Sequence, residues 1–131
     1  MTEEQRNDLS AQVRQLADEL GLRDWTFTIL PEPVEDDGAA AMILPVHGRK
    51  HAKLQVCADW PDYPAKREAI VHELLHCHLA CATDVIRLDL EAAGLLTAAQ
   101  HEWLWASFRR QIEYAVDGIA AAIARKCQPV V

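Results

Sequence analysis

From Ala65 to about Thr83 the chain reads AKREAIVHELLHCHLACAT, which after its first turn is apolar on nearly all sides of a helix. A helix of that kind must be covered by the rest of its domain, so it forms the centre around which the other elements pack. It nevertheless carries His72, Glu73 and His76. Ionisable groups inside an apolar helix cost several kcal/mol each unless something answers them, so these three demand a partner.

The flanking segments supply the cover. Leu9, Val13, Leu16 and Leu20 recur at helical spacing behind a polar first turn with Glu3 and Glu4, and Gly21 follows as the stop. From Asp24 the period changes to two: Trp25, Phe27 and Ile29 alternate with Thr26 and Thr28 until Pro31 and Pro33 end the strand. Glu32 to Gly38 is an acidic loop. Ala39 to Val46 reads as a second strand interrupted by Pro45, and His51 to Cys57 as a third, whose Lys53 and Gln55 suit a sheet edge. After the apolar helix, a short connecting helix from Asp84 to Ala93 stops at Gly94, and Thr97 caps a long final helix to about Arg125. A helix, three strands and then helices, in 131 residues, predict a single α+β domain spanning residues 1–131.

Composition narrows the function. Half of the residues are hydrophobic and a quarter charged, the balance of a chain that buries a core. A net charge of −7 lacks the basic footprint that nucleic acids select, with Arg49, Lys50 and Lys53 as the one basic cluster, so no nucleic-acid partner is expected. No uninterrupted apolar stretch approaches membrane-span length, and Met1 to Asp8 has no apolar leader segment, so neither membrane nor export is expected. Cys57, Cys77, Cys81 and Cys127 follow no paired spacing, which fits reduced thiols in a cytoplasmic protein, with Cys77 and Cys81 as small packing residues.

His72-Glu73-Leu74-Leu75-His76 is an HExxH. Residues four apart project about 40° apart, so both imidazoles reach one tetrahedral Zn2+, while Glu73, about 100° round the helix, stands beside the metal as a general base for metal-bound water. His78 projects about 200° from His72 and reads as a packed or capping residue. A catalytic zinc needs a third protein ligand. The last helix offers Glu113 and Asp117, four apart, flanked by Ala106, Ala120 and Ala124, which allow close approach to another helix. Leu104, Phe108, Ile112, Ala115 and Ile119 form a separate arc toward the core. The alternative is a solvated face in which Arg109 and Arg110 neutralise the acids.

HELLH followed on a later helix by Glu-x-x-x-Asp resembles the gluzincin zinc metallopeptidases, of which thermolysin is the familiar member. The element order is similar to minimal zincin domains, including the peptidase part of the ImmA/IrrE group. The resemblance implies His72, His76 and Glu113 as zinc ligands, Glu73 as general base and Asp117 as the residue that orients His72. His101 and Glu102 stand as substitutes for Glu113. It further implies hydrolysis of peptide bonds in a peptide or protein substrate by Glu73-assisted attack of zinc-bound water, the substrate pairing antiparallel with an edge strand, here His51 to Cys57. The oxyanion donor is sought among Tyr114, Tyr63, His101 and Arg110, with Tyr114 taken as the catalytic candidate. The acidic Glu35, Asp36 and Asp37 suit either a solvated loop or basic substrates. The competing class is a non-catalytic zinc module acting through a protein partner, its fourth ligand drawn from Cys57, Cys77 or a terminus, or a latent enzyme whose tail, Cys127 to Val131, fills the cleft. Oligomeric state is not legible.

Overall fold

The computed structural model describes all residues except Asp37 and 127–131. Helix α1 (Glu3–Glu19) is opened by a capping box between Thr2 and Gln5. It is closed by Gly21 at φ +80°, where the Leu22 and Gly21 amides turn back onto the Ala17 and Asp18 carbonyls. Strands β1 (Thr26–Ile29), β2 (Ala41–Pro45) and β3 (His51–Val56) follow. Then come α2 (Lys66–Asp84), a π-helical stretch Val85–Asp89 with a last turn α3 (Leu90–Ala92), and the long α4 (Ala98–Lys126). The fold is α+β with a small mixed sheet.

Strand order is β1-β3-β2, with β1 parallel and β2 antiparallel to β3. This corrects the placement of His51 to Cys57 at an edge: β3 is the central strand. The registers Phe27↔Ala52, Ile29↔Leu54, Ala41↔Val56 and Ile43↔Leu54 align one apolar face, while Thr26, Thr28, Lys53 and Gln55 share the other. Helices cover only the first face, so a central strand keeps its charged side chains in water and shows the same alternation as an edge strand. Beside α2 the sheet edge is β2, which ends at Pro45 rather than resuming after it.

Leu9, Val13, Leu16 and Ala17 of α1 join Ile70, Val71, Leu74 and Cys77 of α2 and the inner sheet face in one core cluster. The run Lys66–Ala92 is long and apolar enough to cross a membrane by length and composition, and it packs against β2, α1 and α4. Its cover is one-sided, with Ile70, Val71, Leu74 and Cys77 buried and His78, Cys81, Ala82 and Val85 exposed, which corrects the expectation of a helix enclosed on all sides. No break separates α2 from the connecting helix. The chain passes from one to the other through the π stretch, and His101 on α4 donates from Nε2 to the Ile86 carbonyl that this stretch presents, at 3.0 Å. Helix α4 buries Val116, Ala120 and Ala124 and exposes Ala115 and Ile119. Its inward face is therefore the one next to Glu113, not the arc ending in Ala115 and Ile119. Of the two helical cysteines expected to pack, Cys77 is buried, whereas Cys81 is exposed.

Candidate metal centre

α2 and α4 pack against each other with small residues between them, which brings the HELLH face of one onto the acidic strip of the other. His72 Nε2 and His76 Nε2 lie 3.3 Å apart. The Glu113 carboxylate faces both rings, one oxygen to each, with Oε2 3.2 Å from His72 Nε2 and Oε1 3.0 Å from His76 Nε2. Ligand atoms on a tetrahedral ion with bonds of about 2.0–2.1 Å are separated by about 3.3 Å, the spacing of the two imidazole nitrogens, and one ligand atom from each of the three residues lies within 4.8 Å of the other two. These three residues are the only such group among the described residues.

The donor chemistry fits a cation as well as the distances do. His72 Nδ1 lies 2.9 Å from Asp117 Oδ1, which makes Nδ1 the donor and leaves the Nε2 lone pair facing Glu113. Asp117 remains 72% exposed, so water screens this bond and its main effect is to orient the ring. Burial lowers the His76 pKa below its ordinary 6.5, against the opposing charge of Glu113, and favours the neutral imidazole that a metal requires.

Glu73 sits beside this group. Its Oε2 accepts a hydrogen bond from the Ile43 backbone N–H at 2.9 Å, and its Oε1 lies 3.9 Å from His72 Nε2. Burial pushes its carboxyl up to about 8, the Ile43 N–H works against that rise, and the negative charge of Glu113 adds to it. A carboxyl poised near neutrality is suited to taking up and returning a proton.

These groups line a cleft of about 880 Å³ that follows β2 from Asp36, Tyr63 and Glu68 at one end to Asp84, Arg87 and Trp105 at the other. A side recess of about 100 Å³ opens beside His76 and Glu113 among Trp105, Phe108 and Ile112. At the far end Asp84 accepts from His47 Nδ1 at 2.8 Å and from Arg87 at 3.3 Å, tying the β2–β3 turn to the end of α2.

The other expected site residues are placed elsewhere. Tyr114 is 80% exposed and does not line the cleft, because one residue beyond Glu113 turns it about 100° away from α2. Tyr63 does line the cleft, stacked on Trp60. Arg110 is exposed and outside the cleft, whereas Arg109 borders it. His101 is engaged by Ile86, and Glu102 is exposed. His78 donates to the Leu20 carbonyl at 2.6 Å and so caps α1, as its projection away from His72 predicts. Asp37 and the tail Cys127 to Val131 lie outside the described residues. The Ile43 amide and the Asp84 anchor were not foreseen. Sequence offers no signal for them, since both depend on which strand lies beside α2.

The chain matches no protein-family model, no curated protein and no solved structure.

Proposed function

We propose that this chain is a zinc-dependent peptide hydrolase on a minimal zincin-like, gluzincin-type domain, with His72, His76 and Glu113 as ligands and Glu73 as general base. One observation carries the reading: a group of three donors from two helices, one ligand atom from each within 4.8 Å of the others, with a buried carboxyl beside it in a cleft that runs along a strand edge. Two nitrogens and a carboxylate suit zinc. Bound there, zinc would act as a Lewis acid that acidifies water and polarises a carbonyl. Glu73 takes the proton of the attacking water and returns it to the amine nitrogen as the C–N bond breaks. Asp117 keeps His72 in the ligating tautomer. The free edge of β2 offers main-chain pairing to an extended peptide and takes over the role expected of β3.

A purely structural zinc site closes four positions with protein ligands, commonly thiolates. Among the described residues no fourth donor joins the group, and burial pushes the Cys77 thiol up to about 12, far from thiolate character. The open cleft therefore favours catalysis over a zinc staple. The test is elemental analysis of natively purified protein with His72→Ala and Glu113→Ala, followed by mass spectrometry of a peptide library. The expected result is about one zinc per chain, lost with His72→Ala, and cleavage that disappears in Glu73→Gln while zinc is retained. Absence of zinc after reconstitution, or cleavage unchanged in Glu73→Gln, overturns the proposal.

A further inference from the structure

The two edges of β2 differ. Cys57 N–H bonds the Ala40 carbonyl at 2.9 Å and Val46 N–H bonds the His51 carbonyl at 2.8 Å, so within the antiparallel register the even-numbered residues of β2 face β3. The odd-numbered residues, Ala41, Ile43 and Pro45, therefore turn their backbone groups toward the cleft, which the Ile43-to-Glu73 bond bears out. On this side there are three carbonyls but only two N–H groups, because Pro45 has none. One of those two N–H groups is already held by Glu73.

We infer that the Ile43 amide is a positioning group for Glu73 and is withheld from substrate. It pins Oε2 and leaves Oε1 3.9 Å from His72 Nε2. A carboxylate on a flexible side chain samples several rotamers; a hydrogen bond from a rigid strand selects the one that faces the site. The consequence for recognition is that an extended peptide finds acceptors at Ala41, Ile43 and Pro45 and, among the described residues, a donor without a partner only at Ala41. It is held by its own N–H groups at alternate positions. The substrate class is thus an extended segment without proline or N-methylation at the three residues facing Ala41, Ile43 and Pro45, and tolerant of carbonyl replacement opposite Ile43 and Pro45.

The inference rests on Glu73 being the base of a hydrolase, and its test has an arm that does not need turnover. Amide hydrogen exchange on the full chain in chelator should find the Ile43 amide protected and the Ala41 amide open. Glu73→Ala should speed exchange at Ile43 by at least about tenfold while Leu44, bonded into the sheet, keeps its protection. Unchanged exchange at Ile43 in Glu73→Ala overturns the contact. The functional arm removes the N–H alone: Ile43→Pro, which Pro45 shows this side of the strand accommodates, or an ester at position 43 that keeps the isoleucine side chain if the proline variant fails to fold. The expected result is kcat lowered by about tenfold or more with KM within about threefold. A raised KM with unchanged kcat means the amide binds substrate and overturns the positioning role. A wild-type protein without turnover sinks the hydrolase reading, and the exchange comparison still decides whether Ile43 holds Glu73.

Discussion

Glu73 keeps its proton in the folded chain up to about pH 8, whereas an ordinary glutamate releases it near 4.5. The folded state therefore binds the extra proton through this range, and the stability it contributes is complete at low pH and lost as pH rises to about 8. His76 acts in the opposite sense. Its pKa is lowered from 6.5, so its contribution is present above 6.5 and lost as pH falls below. Between pH 6.5 and 8 Glu73 acts without that counterweight. The metal-free protein should lose up to about 1.4 kcal/mol of unfolding free energy per pH unit there, and Glu73→Gln should flatten the slope, as urea denaturation at stepped pH in chelator will measure. Asp117→Asn should weaken zinc binding by about 10–100-fold without unfolding the chain, because it frees the His72 ring rather than removing a ligand; competition with a chromogenic chelator reads this directly. At this scale the histidines, Glu73, Glu113 and Asp117 were nameable from sequence, since spacing on a helix is a local property. Tyr114 was not placeable, because one position further along α4 decides between facing α2 and facing water.

Glu113 reaches the histidines only because Val116, Ala120 and Ala124 let α4 lie close to α2. Ala120→Leu should overpack this seam, cost about 1–3 kcal/mol, and lower zinc stoichiometry in the same preparation, by pushing the glutamate off the histidine pair. A loss of stability with full zinc content would show that the seam does not set the ligand group. Within the π stretch Val85–Asp89 the Ile86 carbonyl accepts from His101, and His101→Ala should cost about 1 kcal/mol in denaturant unfolding without loss of metal binding. The element types and most of their boundaries follow from periodicity and capping residues such as Gly21 and Thr97. On α4 Ala120 and Ala124 pack inward as the small-residue strip beside Glu113 predicts, whereas Ala115 and Ile119 of the expected apolar arc stand outside. The apolar residues of this helix wrap more than one arc, and the small residues that pack look less hydrophobic than Ile112 or Ile119, which stand further out.

The proposed ligands come from two helices separated by the whole connecting segment, so a bound ion would join the centre of the fold to its C-terminal helix. Free zinc at a thousandfold excess over its Kd should stabilise the chain by about 4 kcal/mol, and His76→Ala should abolish the gain; thermal unfolding with and without chelator tests it. The sequence by itself determined the central apolar helix, the HELLH face, the acidic strip on the last helix and the α+β layout, since each is written in side-chain spacing along one element. The tertiary structure alone decided that β3 is central and β2 borders the cleft, that α4 leaves Ala106, Ala115 and Ile119 outside, and that Glu73 shares its carboxylate with the Ile43 amide. These depend on strand order and helix docking. A sheet with one open face gives central and edge strands the same alternation, and a backbone amide looks the same in sequence whether its neighbour is a strand, a side chain or water.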